Sequence, residues 1–170
     1  MFSSVVVLNG PSSKFWTSHQ FKLPLFGCNL AWQDFEINHC CCIDYETVKN
    51  LDQMALPKKC EFYTRNHPKI SDRWNVVHAP GIDSGSFALS LALNFYSGPV
   101  LVIGGDGQLG QDYETNYDYQ WAKKTPTERI YALHRRTFID LCSTDRVTWV
   151  SEHTHPTFKT ITKERAKTLV

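Results

Sequence analysis

Val5-Val6-Val7-Leu8-Asn9-Gly10-Pro11-Ser12-Ser13 is the stretch from which the fold of this chain is read. Four consecutive apolar residues, three of them β-branched, predict a strand buried on both faces, as at the centre of a parallel sheet. Asn9-Gly10-Pro11 ends the run with a turn signal, and Ser12 or Ser13 is placed to cap a short helix over residues 12–18. A strand that breaks at glycine against a helix start offers backbone N–H groups and the positive end of the helix dipole to a phosphate. The same turn also occurs where nothing binds.

Working outward, the strand pattern recurs. Residues 23–29 read as a second strand ending at Asn29, with Pro24 at its start where no ladder donor is needed. His39-Cys40-Cys41-Cys42-Ile43-Asp44 reads as a third, and Asp44 is positioned to cap a helix over residues 45–51. Residues 60–64 and 74–78 give two more strands, the latter nearer an edge. Residues 84–93 form a helix that is apolar almost all round, with Ser84, Gly85 and Ser86 at its positive end. The strongest strand follows, Val100-Leu101-Val102-Ile103, and runs into Gly104-Gly105-Asp106.

Residues 107–125 are polar and aromatic, a length typical of a lid or a disordered segment rather than a simple connection. An amphipathic helix over residues 128–142 is predicted next, with Ile130, Leu133, Thr137, Phe138 and Leu141 on its inner face and Thr127 as its cap. A last strand lies at residues 146–150. The alternation of apolar strands and helices predicts an α/β fold with a mainly parallel sheet flanked by helices over residues 1–150, followed by a polar, basic tail at residues 151–170.

The 170 residues are enough for one domain with a full core, and a formal net charge of +1 gives no electrostatic case for duplex nucleic acid or an anionic membrane. No apolar run approaches the roughly 20 residues of a membrane span. Met1-Phe2-Ser3-Ser4 has no basic segment ahead of its short apolar run and does not read as a signal peptide. Six cysteines without a Cys-x-x-Cys read as buried thiols, not as a metal or disulfide framework, and suggest a cytoplasmic location. No cofactor can be named from the sequence, and the oligomeric state is left open.

Four strands thus end on polar residues: Asn9-Gly10, Asn29, Asp44 and Asp106. In open parallel sheets ligands bind outside those ends, so these residues are expected to line one crevice, with Ser84-Gly85-Ser86 facing it. The segments that carry them also resemble a known family. Val7-Leu8-Asn9-Gly10-Pro11-Ser12 is similar to the Gly-Asn-Gly-Pro-Ser opening of bacterial sialyltransferases and related Rossmann-like proteins. Phe26-Gly27-Cys28-Asn29 is similar to their Arg-Cys-Asn, Ile82-Asp83-Ser84-Gly85 to their Thr-Ser-Gly turn, and the strand ending at Asp106 to their Gly-x-Asp strand. Order and spacing agree over about residues 4–120. Leu8 departs from the pattern, standing where the family has its first glycine.

The resemblance implies a single Rossmann-like domain that binds a cytidine nucleotide or nucleotide sugar. It carries over to Asn9, Gly10, Ser12, Asn29, Asp44, Ser84, Gly85, Ser86 and Asp106, and loosely to Tyr113 and Tyr117 as phosphate ligands. It further implies a histidine general base, for which His134 is the positional candidate and His153 and His155 are rivals. Beside Arg135 and Arg136, His134 also reads as an ordinary exposed helical histidine. Three functions follow as expectations: a glycosyltransferase-like enzyme, a protein that captures a nucleotide without turnover, or a pyrophosphoryl transferase with Mg²⁺ held by Asp44 or Asp106.

Overall fold

The computed structural model describes residues 1–106 and 128–170. Among these, the strands β1 (Ser4–Val7), β2 (Leu25–Cys28), β3 (His39–Cys41), β4 (Glu61–Thr64), β5 (Trp74–Val76), β6 (Val100–Ile103), β7 (Val147–Val150) and β8 (Thr160–Ile161) form one sheet in the order β5-β4-β3-β2-β1-β6-β7-β8. Every neighbouring pair is parallel. The helices are α1 (Tyr45–Leu51), α2 (Ser84–Phe95), α3 (Glu128–Leu141) and α4 (Lys163–Lys167), with 3₁₀ turns at Pro11–Trp16 and Ala31–Gln33. The α/β, Rossmann-like architecture expected from the sequence is therefore present.

The valine run forms β1 in the sheet interior, paired with β2 on one side and β6 on the other. Alternate side chains of a strand point to opposite faces, so each valine is committed to one of two cores. Val5 and Val7 join Trp16, Leu101, Ile103, Val48 and Leu51 under the 3₁₀ turns, α1 and α4. Val6 and Leu8 join Phe26, Phe87, Leu89, Val102, Phe138 and Trp149 under α2 and α3. With both faces covered, uninterrupted apolar residues are what β1 and β6 require.

Strands β1 to β5 step in one direction, and α2 then carries the chain back across the sheet so that β6 lies beside β1. This explains why α2 is apolar all round: its residues 84–92 are buried, caught between the sheet and α3. The reversal of strand order puts the topological switch point between β1 and β6, above the Asn9-Gly10 and Gly104-Gly105 turns.

Several local expectations are corrected. The 3₁₀ turn after β1 has Gly10, not Ser12 or Ser13, at its N-cap and so has no side-chain cap bond, while the Ser12 hydroxyl donates to Asp106. Asp44 is the N-cap of α1, as expected, and its carbonyl accepts from the Val48 amide, though its side chain makes no capping hydrogen bond. Leu133, expected on the inner face of α3, is 53% exposed, whereas Phe138 is fully buried and His134 half-buried. The helix is rotated so that residues 134, 138 and 141 face the core. Residues 151–170, expected as a polar tail, contain β8 and α4, and bury Phe158 and Ala166. Thr127, like Tyr113 and Tyr117, lies outside the described residues.

Candidate functional site

Because the sheet is parallel throughout, β1, β2, β3 and β6 all end at one edge. The candidate residues there divide into two groups, one on each face.

The first group surrounds the β1 turn. The Gly10 amide donates to the Gly104 carbonyl at 2.9 Å, tying the ends of β1 and β6 together. Gly104 sits at φ +71°, where a side chain is strained, and a methyl there would also strike the Leu8 carbonyl. At Gly10 a methyl would collide with the Asp106 carboxylate. That carboxylate, only 8% exposed, accepts from the Ser12 amide at 3.0 Å and the Ser12 hydroxyl at 2.9 Å, both on Oδ2. The donors expected to hold a phosphate are thus already holding an anion that the chain itself supplies.

The second group lies beneath α2 and α3. Asp83 caps α2: its Oδ1 accepts from the Ser86 amide at 2.9 Å, while Ser86 Oγ accepts from the Ile82 and Asp83 amides. The Ser84 hydroxyl accepts from the Ile43 amide at 3.1 Å, fixing the end of β3 to the helix start. Gly85 lies against Leu8, where a methyl would come within 2.9 Å of Leu8 Cδ2. Burial raises the Cys28 thiol pKa, with Cys42 and Asp83 adding to the effect and a backbone hydrogen bond from Asn9 opposing it. Three strand ends and one helix start therefore converge here.

Asn29 closes β2 at φ +55°, in the left-handed region that asparagine tolerates better than most residues. Its amide donates to the Cys41 carbonyl, and its buried Oδ1 has no hydrogen-bond partner among the described residues. His134 of α3 brings Nδ1 to 3.8 Å from Asp83 Oδ2, with the two side chains 15% and 18% exposed. This separation is an ion-pair contact when the imidazole is protonated and too long for a hydrogen bond. Arg135 and Arg136 are exposed.

The rival histidines lie elsewhere. His155 Nδ1 accepts from the Thr157 and Phe158 amides, a structural role in the β7–β8 connection, and His153 is exposed beside that connection. Asp44, at the end of β3, is exposed. Two strands separate β3 from β6, about 14 Å at the usual interstrand spacing, so Asp44 and Asp106 belong to different places. Among the described residues, no group of three or more His, Cys, Asp or Glu is placed to hold a metal ion. Cys28, Cys40, Cys41, Cys42 and Cys60 are buried free thiols and Cys142 is half-buried and free, as expected.

The residue that sequence reasoning passed over is Asp83. It was quoted only as part of a turn, yet it caps α2 and faces His134. The signal was Asp83 followed three residues later by Ser86, a capping-box spacing ahead of an apolar run.

Comparison with protein-family models, curated proteins and solved structures found no match for this chain. The likeness to sialyltransferases therefore rests on the short motifs alone. Among the described residues no helix is long and apolar enough to cross a membrane.

Proposed function

We propose that this protein binds a nucleotide or nucleotide sugar at the carboxyl edge of its sheet, on the α2 side, and that His134 handles a proton there. One observation carries the reading: His134 meets the N-cap of α2 at the point where β1, β2 and β3 end. Asn29 Oδ1 is an acceptor suited to a base amino group or a sugar hydroxyl. The Ser84 and Gly85 amides at the start of α2 are the donors left for a phosphate, and Asp83, 3.8 Å from His134 Nδ1, stabilises the imidazole once it is protonated. A transferase would use His134 to deprotonate an acceptor hydroxyl. A capture protein would use the same residues without turnover.

A second reading is favoured by Asp83, whose carboxylate already occupies the Ser86 amide. A nucleoside without phosphate avoids repulsion from that carboxylate.

Calorimetric titration with cytidine and with cytidine monophosphate separates these readings. The proposal expects the monophosphate to bind more tightly, with Asn29→Ala weakening it by about tenfold, the worth of one lost hydrogen bond to a polar ligand. Tighter binding of cytidine supports the second reading, and no binding of either rejects both. Release of cytidine monophosphate from a cytidine nucleotide sugar, abolished in His134→Ala, would identify a catalyst.

A further inference from the structure

A cavity of about 420 Å³ opens on the other face of the sheet, between the 3₁₀ turn Pro11–Trp16, the residues following β6 and β7, and the start of α4. It shares no wall with α2 or His134 and lies within the size range of small-molecule sites. Phe15, Trp16 and Val150 supply its apolar wall, Asp106 its most deeply buried charge, and Glu152 and Lys163 flank it.

Three features define what would fit. Both Ser12 donors fall on Asp106 Oδ2, while Oδ1 accepts no hydrogen bond among the described residues. A carboxylate buried to this depth with only neutral donors on one oxygen gains most from a cationic donor on the other. Phe15 is 62% exposed, and Lys163 Nζ stands over its ring, 4.7 Å from the centroid. The ring face thus already attracts a cation, one on a long flexible stem that a better-fitting group can displace. Glu152, whose Oε1 accepts from the Lys163 amide, adds a second carboxylate beside the cavity.

We propose that this cavity binds a small aromatic cation, an arylalkyl ammonium or an aryl amidinium, with its ring on Phe15 and its charged N–H groups on Asp106. The planar fork of an amidine matches a carboxylate, and the ring takes the apolar wall. Lys163 is the cation that would instead favour an aromatic acid, which makes the comparison with an acid of equal shape decisive.

The test is titration of the full chain with benzamidine and with benzoate, followed by amide chemical shifts and calorimetry. Saturable benzamidine binding is expected, with shifts at Phe15 and residues 151–153, and little or no binding of benzoate. Phe15→Ala, at an exposed position, should leave the thermal unfolding midpoint in place and weaken binding about tenfold. Asp106→Asn keeps an acceptor for Ser12 but removes the charge, and should weaken binding at least as much. If that variant fails to fold, Phe15→Ala and the benzoate comparison decide alone. Absence of saturation, equal binding of benzoate, or an unchanged affinity in Phe15→Ala would overturn the proposal. Nucleotide binding beneath α2 can succeed or fail without altering this outcome.

Discussion

Asp106 does at the β1 turn what a bound anion does at comparable turns elsewhere. Its carboxylate takes the amide and hydroxyl of Ser12 and closes the space above Gly10. Replacing it by alanine strands two partly buried donors, which costs about 1–3 kcal/mol each when water does not reach them. Asp106→Ala should therefore lower the urea midpoint clearly more than Asp106→Asn, which keeps one acceptor; equal midpoints would show that Ser12 gains nothing from the contact.

His39 offers a second test at this scale. Its ring stacks on Phe26 at 4.5 Å and its Nδ1 lies 3.2 Å from Glu61. Burial nevertheless outweighs Glu61 and lowers its pKa. The unfolded chain, with histidine near 6.5, then binds more protons than the folded one as pH falls below about 6.5, so stability is fully retained above that pH and is lost as the pH falls from there through the lowered folded-state pKa. His39→Gln should flatten the fall of the urea midpoint between pH 7 and 5; a parallel curve would contradict the assignment.

Among the elements, β8 and α4 are the ones the sequence concealed. Thr160–Ile161 is too short to show a period of two, and α4 has five residues of which only Ala166 is buried. Their attachment is tertiary: the Trp149 amide donates to the Lys159 carbonyl, the Ser151 amide donates to the Ile161 carbonyl, and Phe158 packs on Trp149 with ring centroids 4.9 Å apart. A chain cut after Val150 loses these contacts and uncovers Trp149. It should be destabilised by about 3–5 kcal/mol, the cost of emptying a large aromatic site, as read from thermal or urea unfolding. Unchanged stability would mean that these residues merely rest on the fold. The longer elements were legible because their signals are local. Val5-Val6-Val7 and Val100-Leu101-Val102-Ile103 can be accommodated only where both faces are covered, and α2 is apolar almost all round over residues 87–93. The apolar runs overshoot the ladders by a residue or more, since Leu8 and Ile43 remain buried or half-buried after pairing ends.

For the whole molecule, the clustering of strand ends followed from sequence because a parallel sheet delivers every carboxyl end to one edge. Which face each polar residue turns to did not, since that depends on pairing between segments far apart in the chain. Ser12 and Asp106, 94 positions apart, turned out to satisfy each other on one face, while Asp83 and His134 met on the other. The proposed ligand edge is the α2 side, around Asn29, Ser84, Gly85 and His134. Amide chemical-shift mapping of the full chain titrated with cytidine monophosphate tests it. Saturable shifts are expected at those residues and at Asp83, with Phe15 and residues 151–153 undisturbed. Shifts confined to the Phe15 side, or none at any concentration, would contradict it.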